Sequence, residues 1–274
     1  MQEALENGDN ERFDPSTFEP GPLISWPSGI NEIDEVSRFY GMVTIGAARG
    51  TGKTLLSIGS AIEAASSGWD VCYFAAEDDR DGLATRFNNY VNAHPRCESA
   101  IDHFFLFQAG RGQSPRTITS DISGAVDQES DRPILTVIDS VNSLVEMSHM
   151  AYLDGLAQFG LWAMLARRYS GGQAAFLLVS ETNRVGSVRG EKLPYLSDQV
   201  LIMQRGEGDV VELDLQKSRR TAGVGNLGRF VRIWNQGEFM SEREIEDLRR
   251  ESFRVVDGGK LSTPEVAKNG SLEF

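Results

Sequence analysis

A glycine-rich stretch ends in Gly52, Lys53 and Thr54, and residues of these types at this spacing could hold a polyphosphate. Glycines let successive backbone N–H groups turn towards phosphate oxygens, and a following helix presents its positive end to the same anion. The Lys53 ammonium would neutralise the terminal phosphates, and the Thr54 hydroxyl would bind Mg²⁺. The stretch therefore predicts a loop that binds a nucleoside triphosphate. The predicted contacts come from Ala47, Ala48, Arg49, Gly50, Thr51, Gly52, Lys53, Thr54 and Leu55.

The sequence on both sides of this loop supports the prediction. An apolar run precedes it at 41–46, and residues 55–65 have a helical periodicity. The usual loop begins with glycine where this chain has Ala47, which is a tolerated variant, and Gly46 lies one position earlier. The alternative interpretation is a glycine-rich turn in which the Lys-Thr pair occurs by accident.

Two carboxylates, Asp139 and Glu77, each follow another apolar run. Because parallel α/β sheets bind ligands at the carboxyl ends of their strands, Asp139 is predicted to join Thr54 at the Mg²⁺ site. Glu77 is a candidate for orienting and deprotonating the attacking water, which needs a base that is not bound to the metal. Each residue also has an ordinary interpretation, as a turn at a strand end for Asp139 and as an acidic helix start for Glu77.

A rigid sheet is needed to bring these residues together. Continuous apolar runs that alternate with helical stretches predict an α/β fold with a mostly parallel sheet flanked by helices. After about residue 209, alternating polarity instead predicts a C-terminal antiparallel hairpin at the sheet edge. The predicted strands are 70–76, 104–107, 134–138, 175–179 and 200–203, the predicted hairpin strands are 211–217 and 229–234, and a long helix is predicted at 150–170.

The chain of 274 residues, 40% of them hydrophobic, is long enough for one substantial core. Residues 1–22 are acidic, contain proline and lack periodicity, which predicts a flexible N-terminal arm. We expect the core to span 23–240 and a charged helix with a polar tail to occupy 241–274.

The composition argues against several classes of protein. A formal net charge of -13 disfavours a surface that binds nucleic acid everywhere, although it permits a basic channel inside a ring or filament. Cys72 and Cys97 are too few for a disulfide framework or a zinc cluster, so we expect buried or idle thiols. No apolar run is long enough to span a bilayer, and the N-terminus is unlike a signal peptide. These features predict a cytoplasmic protein without a membrane partner.

The order of the motifs resembles the RecA-like P-loop ATPases, and specifically the branch that contains RadA, KaiC and hexameric helicases of the DnaB and RepA types. The resemblance covers about residues 25–235. It implies a RecA-like P-loop core that binds and hydrolyses ATP with Mg²⁺. Besides the phosphate loop and the two carboxylate motifs, the segments that carry the resemblance are 28–34, 180–184, 196–200 and 217–219.

The resemblance also implies roles for individual residues. It favours Glu77 as the catalytic carboxylate, whereas for Asp79 we favour a helix start. Lys217 and Arg219 are similar to a Lys-x-Arg pair that reaches the ATP site of a neighbouring subunit, which implies a homo-oligomeric ring or filament, hexamer-like in form. Residues two apart on a strand point to the same side, so both cations could reach one phosphate group. The alternative is a solvated hairpin end.

One position departs from the family pattern. Where those proteins often place Gln, His or Thr as a sensor of the γ-phosphate, this chain has Glu181. A carboxylate beside the γ-phosphate would repel it. We therefore expect Glu181 either to face away from the phosphate or to bind a cation.

Two segments, about 142–150 and 185–195, correspond to the DNA-contacting loops of the resembling recombinases and helicases. Arg184, Arg189 and Lys192 are therefore candidate contacts to single-stranded DNA, with an ordinary solvated loop as the alternative. Our first hypothesis is an oligomeric ATPase that acts on single-stranded DNA as a small helicase or recombination factor. The second is a KaiC-like regulatory ring that acts through protein partners, and the third is an assembly protein with little turnover.

Overall fold

The computed structural model describes residues 24–254 except 111, 112, 128, 149, 191 and 221–223. The predicted arm at 1–22 and the last part of the predicted tail, 255–274, lie outside the described residues. The division into arm, core and tail therefore stays a prediction. Within the described part of the chain, no helix is long and apolar enough to cross a membrane.

Strands and helices alternate along most of the described chain. The strands are β1 (Ser25–Trp26), β2 (Phe39–Tyr40), β3 (Met42–Ala47), β4 (Asp70–Ala75), β5 (Phe104–Gln108), β6 (Ile134–Asp139), β7 (Ala174–Glu181), β8 (Gln199–Arg205), β9 (Val210–Ser218), β10 (Gly225–Ile233) and β11 (Glu238–Ser241). The helices are α1 (Asn31–Ser37), α2 (Lys53–Ser66), α3 (Arg80–Ala93), a 3₁₀ helix (Pro95–His103), α4 (Pro115–Ala125), α5 (Val141–Met147), α6 (Tyr152–Tyr169), α7 (Lys192–Leu196) and α8 (Glu242–Arg254).

Among the described residues, nine strands form one sheet in the order β11-β10-β9-β8-β3-β7-β6-β4-β5. Strands β3 to β8 run parallel to one another. Each of β9, β10 and β11 runs antiparallel to the strand that precedes it in the chain. This confirms the mostly parallel sheet and the C-terminal antiparallel hairpin. The hairpin β9–β10 is not itself the edge, however, because the short strand β11 pairs with β10 and lies outside it. Sequence analysis missed β11, which has only 4 residues.

Both faces of the sheet are covered because successive side chains of a strand point to opposite sides. In β4, Val71 and Tyr73 belong to a core cluster that includes residues of α2, whereas Cys72 and Phe74 belong to a second cluster with residues of α5 and α6. The thiols of Cys72 and Cys97 are both free and buried, as expected. Burial raises the pKa of Cys72 to about 12, so this thiol is protonated and unreactive.

The parallel strands bring their carboxyl ends to one edge of the sheet. Ala47, the last residue of β3, pairs with Glu181 on β7, and Ala75 on β4 pairs with Asp139 on β6. The loop after β3 therefore lies beside the ends of three strands that carry carboxylates. We call this the carboxyl edge.

Candidate active site

The phosphate loop connects a fully buried strand to a helix with an open end. All residues of β3 are buried, and α2 begins at Lys53 without a side-chain cap. Gly50 and Gly52 have φ values of 73° and 103°, a left-handed conformation that a side chain would strain. Unsatisfied N–H groups at an uncapped helix start form a site for an anion.

Lys53 lies beneath this loop in a position to meet a phosphate. Its ammonium donates to the carbonyls of Ala47 at 3.2 Å and Ala48 at 3.1 Å, and its side chain is mostly buried. Burial lowers the pKa of Lys53, and the neighbouring charges of Glu77 and Asp139 offset part of that change. Backbone carbonyls are weak partners for a buried cation, so a polyphosphate would be a favourable replacement.

The Asp139 carboxylate is held at the carboxyl edge by hydroxyl groups. Its Oδ2 accepts from the Tyr73 hydroxyl at 2.6 Å and the Ser57 hydroxyl at 3.4 Å, and it also has a hydrogen bond from the Thr54 side chain. Burial raises the pKa of Asp139, and these hydrogen bonds counteract the rise. The carboxylate of Asp139 beside the hydroxyl of Thr54 is the donor set that suits Mg²⁺ with phosphates and water as its other ligands.

The buried hydroxyl of Thr51, within the loop, makes no hydrogen bond to the part of the chain that the structure describes. Buried polar groups are normally satisfied, so an unpartnered hydroxyl in this loop fits a site that a polar ligand completes. Together with the uncapped helix start, it indicates that the residues present fit a bound magnesium–nucleotide.

The Glu77 carboxylate, just after β4, accepts from the hydroxyls of Ser140 at 2.5 Å and Ser143 at 2.7 Å. Burial alone would raise its pKa, but the two hydrogen bonds and the charge of Lys53 outweigh burial, and the net pKa lies below the usual value. Glu77 is therefore ionised at neutral pH and able to accept a proton. Asp79 caps α3 by accepting from the Gly82 N–H at 2.7 Å, which confirms the helix start expected for it.

Glu181 binds two cations at the position where the family has a polar sensor. Its Oε1 lies 2.5 Å from Nε of Arg49 in the phosphate loop, and its Oε2 lies 2.9 Å from Nη1 of Arg189. The carboxylate is buried, with the residue only 4% exposed, whereas the side chain of Arg49 is 76% exposed. Of the two expectations for Glu181, the structure bears out cation binding, and the two arginines reduce its repulsion of a phosphate.

We expect Glu181→Gln to strengthen ATP binding. The change removes a negative charge near the phosphate loop and releases Arg49 and Arg189. At about 10 Å and an effective dielectric constant of about 20, one unit charge contributes roughly 1.5 kcal/mol, or about a tenfold change in Kd. Calorimetric titration with ATP measures the Kd, and the control is Glu98→Gln, which removes an exposed carboxylate from the 3₁₀ helix. Weaker binding in Glu181→Gln would mean that Glu181 instead positions the arginines for the phosphate.

Lys217 and Arg219 lie together, as their spacing predicts, but far from the phosphate loop of the same chain. The Lys217 ammonium donates to the carbonyls of Pro194 and Tyr195 at 2.8 and 2.9 Å, and Arg219 Nη2 donates to that of Tyr195 at 2.7 Å. All three carbonyl contacts lie where α7 leads into β8, at the amino ends of the parallel strands. The two cations thus occupy the edge opposite to the phosphate loop.

The strand register sets the distance between Lys217 and the phosphate loop of its own chain. Lys217 pairs with Val200, three residues before Met203, which pairs with the last residue of β3. At about 3.3 Å per residue and about 4.8 Å per strand, the backbone of Lys217 is roughly 14 Å from the end of β3. Its side chain is turned towards α7. The described side-chain contacts of Lys217 and Arg219 are therefore with α7, and not with the phosphate loop of their own chain.

The three candidate nucleic-acid residues differ in their surroundings. Arg184 lies near the tip of a short hairpin at 182–188, where Val185 is 85% exposed, and Lys192 begins α7. Arg189 is instead held by Glu181. The first predicted DNA loop, about 142–150, is largely helical because α5 occupies most of it, so that loop prediction was wrong.

Two contacts of the site were missed by sequence analysis. Tyr73 stands inside an apolar strand, and a lone hydroxyl there could have been recognised as a partner for a buried carboxylate. Arg232, on β10, donates from Nη1 to the Gly50 carbonyl at 2.7 Å and supports the phosphate loop from the antiparallel side of the sheet. Nothing in the local sequence around Arg232 signals this contact.

Comparison with solved structures finds proteins that have a similar architecture. The chain matches the solved structure of an ATPase domain with a TM-score of 0.66 and 17% identity, over 88% of this chain and 95% of that chain. It matches a DnaB-like replicative helicase with a TM-score of 0.66 and 17% identity, over 81% of this chain and 64% of that chain. The RadB recombinase matches with a TM-score of 0.59 and 17% identity, over 77% of this chain and 97% of that chain.

The chain has a RecA-like fold. At 17% identity the likeness concerns the fold, and it confirms the fold that the motifs predict. No protein-family model matches the sequence, and no curated protein matches it either. The RecA-like core spans less than two thirds of the DnaB-like helicase that it resembles. Activity, substrate and assembly must therefore be argued from the residues of the site.

Proposed function

We propose that this RecA-like chain is a Mg²⁺-dependent ATPase that assembles into a ring or filament and acts on single-stranded DNA. The observation that carries the proposal is the convergence of Lys53, Asp139 and Glu77 around the uncapped start of α2. Phosphoryl transfer to water requires a cation for the phosphates, a carboxylate for the metal and a second carboxylate that is not part of the metal site. Lys53, Asp139 and Glu77 are the candidates for these three groups.

Each residue then has one task in hydrolysis. The loop N–H groups and Lys53 would bind the β- and γ-phosphates, and Thr54 and Asp139 would hold Mg²⁺, which when bound would supply positive charge to the phosphate oxygens. Glu77 orients a water and takes its proton as the oxygen attacks phosphorus, and ADP leaves on the opposite side. Ser140 and Ser143 fix the Glu77 carboxylate for that task.

Assembly is proposed from the position of Lys217 and Arg219. The pair lies at the edge opposite to its own phosphate loop, so it can act on a nucleotide only if that nucleotide belongs to another subunit. A cation delivered in this way stabilises the charge that develops on the transferred phosphoryl group. The exposed 182–188 hairpin with Arg184, and Lys192 nearby, supplies the cations proposed for a DNA strand. We also keep the division into an arm at 1–22, a core at 23–240 and a tail at 241–274 as a proposal.

ATP hydrolysis measured with and without single-stranded DNA, over a salt series, tests this function. We expect wild-type protein to hydrolyse ATP faster with DNA, and DNA affinity to fall steeply with salt because several subunits contact one strand. Lys53→Ala should abolish hydrolysis. Absence of hydrolysis in assembled wild-type protein would contradict the ATPase proposal.

Neutralising Arg184 and Lys192 to Gln should remove DNA binding and DNA-stimulated turnover, while basal hydrolysis and oligomer size stay unchanged. Each lost phosphate contact should lower the slope of log affinity against log salt by about 0.7 per subunit. Arg189→Gln is tested separately because Arg189 is paired with Glu181. Arg168→Gln, an exposed arginine on α6, is the control. Unchanged DNA binding in the double variant would place the DNA elsewhere.

One observation favours a second function. The net charge is -13, and Glu181 partly neutralises Arg189, so the hairpin region offers fewer free cations than the sequence predicts. A regulatory ring that acts through protein partners, similar to KaiC, needs no such cations. If assembled protein saturated with a non-hydrolysable ATP analogue binds neither single-stranded DNA nor RNA at low salt, this second function replaces the first.

A further inference from the structure

A nearly buried histidine joins helix α3 to strand β11. His94 directly follows α3, and its Nε2 lies 2.8 Å from Oε2 of Glu238, the first residue of β11. The two side chains are only 14% and 12% exposed. The turn before β11 also packs on α3, since a Cβ built on Gly237 would lie 3.2 Å from the backbone nitrogen of Tyr90. The pair therefore fixes the position of β11 against α3.

The contacts of the His94 ring determine its charge. Its Nδ1 lies 2.9 Å from the backbone carbonyl oxygen of Tyr90, and its Nε2 faces the Glu238 carboxylate. Both partners are hydrogen-bond acceptors, and a neutral imidazole has only one N–H to donate. The two contacts are satisfied together by the imidazolium, which carries a proton on each nitrogen. In agreement with this geometry, the hydrogen bond to Glu238 raises the pKa of His94 by more than burial lowers it.

The other titratable and charged groups around the His94 ring have partners of their own. The Tyr90 ring of α3 stacks on it with 4.3 Å between the centroids, and the Tyr90 hydroxyl donates to Glu63 of α2 at 2.9 Å. Arg96 of the 3₁₀ helix donates to the same carboxylate at 2.6 Å. The charge of Arg96 lowers the pKa of His94, but less than the contact with Glu238 raises it. Glu238 is therefore the anion that holds the imidazolium.

Strand β11 extends from this pair to the phosphate loop. Phe239, next to Glu238, is buried, and a Cβ built on Gly52 would lie 3.0 Å from its ring. Phe239 pairs with Arg232 of β10, whose guanidinium donates to the Gly50 carbonyl at 2.7 Å. The strand thus packs against one glycine of the loop and adjoins the residue that holds the other. A displacement of β11 would weaken both supports.

We propose that His94 is a positioning residue of the nucleotide site, and that its ionic pair with Glu238 holds β11 against the phosphate loop. The inference rests on the proposed function, because it concerns the binding of ATP by that loop. While the ring is protonated, the pair keeps Phe239 packed on Gly52. When the ring loses a proton, one of its two contacts and its attraction to the carboxylate are lost, and the loop loses support. The affinity for ATP therefore depends on a proton bound outside the phosphate site.

The direction of the pH dependence follows from the raised pKa of His94. Stabilisation by the pair is complete below the ordinary histidine value of about 6.5, and it is lost as pH rises through the raised value. We expect the Kd of wild-type protein for ATP to rise between about pH 6 and about pH 9 by roughly 5- to 150-fold, the usual range for coupling between two sites. Because such coupling is reciprocal, bound ATP should raise the pKa of His94 further.

Calorimetric titrations of the full chain with Mg²⁺-ATP over this pH range test the inference. His94→Gln should remove the dependence that His94 causes, since a glutamine amide donates to Glu238 at every pH. A phosphate group also titrates near pH 6, with a pKa of about 6, so the effect is read as the difference between the wild-type and His94→Gln profiles. The matched control is His103→Gln, because His103 pairs with Asp70, at 3.0 Å, at the amino end of β4. Its profile should follow that of wild type.

Proton NMR of the histidine rings gives a second readout that needs no ATP. The chain has three histidines, so single variants assign the signals, and His94 should titrate above its ordinary value. Glu238→Gln should return the pKa of His94 towards that value and move the loss of ATP affinity to lower pH. The inference is overturned if His94 titrates at or below the ordinary value, or if wild type and His94→Gln have the same profile. Wild-type protein that binds no ATP at any pH would overturn the proposed function as well, whereas ATP binding that is independent of His94 would overturn this inference alone.

Discussion

Glu77→Gln should hold ATP and fail to hydrolyse it, with turnover reduced by about 10²- to 10⁴-fold, the range by which a positioned general base accelerates a reaction. The amide keeps the size of the side chain and can still contact Ser140 and Ser143, but it cannot accept a proton from water. The loop, Lys53 and Asp139 are untouched, so the affinity for ATP should stay within a few-fold of wild type.

Phosphate release under single-turnover conditions measures the rate of hydrolysis, and a fluorescence titration with ATP measures the affinity. Asp79→Asn is a suitable control, because asparagine also caps helices and this carboxylate only holds the start of α3. Turnover near that of wild type in Glu77→Gln would assign the base to another carboxylate. Asp78, which is paired with Arg86, would then be the next candidate.

Two inactive variants, Lys53→Ala and Arg219→Ala, should recover activity when they are mixed. The first lacks the cation of its own phosphate loop, and the second lacks the arginine that is proposed to act on a neighbour. An interface between them can pair an intact loop with an intact arginine. An arginine supplied in trans accelerates phosphoryl transfer by about 10³- to 10⁵-fold, so even a minority of such interfaces gives measurable turnover.

The controls for this mixture come from the same chain. Lys53→Ala mixed with a Lys53→Ala/Arg219→Ala double variant contains no intact loop and should stay inactive. Arg220→Ala removes the adjacent exposed arginine and should leave turnover unchanged. Specific activity of wild-type protein should rise with concentration as it assembles. A fully active protein that sediments as a monomer would exclude the shared site.

Local sequence patterns predicted much of the fold and the phosphate loop because their causes are local. Apolar runs of strand length, a glycine-rich turn and a helix after it define β3, the loop and α2. Asp139 could be found since strand ends at the carboxyl edge are where parallel sheets bind ligands. These patterns involve neighbours in sequence, and one chain is enough to recognise them.

Other parts of the site depend on contacts between distant positions. Arg49 meets Glu181, 132 positions away, and Glu77 is fixed by Ser140, 63 positions away. The hydroxyls of Ser140 and Ser143 are ordinary in sequence, and they become partners of Glu77 only because β4 and β6 are neighbours in the sheet. For Glu181 the residues alone allowed two expectations, and only the fold could decide between them.

The contact between Gly50 and Arg232 has a consequence for synthesis of the chain. The two residues are 182 positions apart, so a ribosome completes β3, the phosphate loop and α2 long before the strand that supports the loop. A nascent chain that ends before β10 contains Lys53, Glu77 and Asp139 but leaves the loop without this support. Binding of nucleotide can stabilise only a folded site, so its free energy is added late, after nearly the whole sheet has formed.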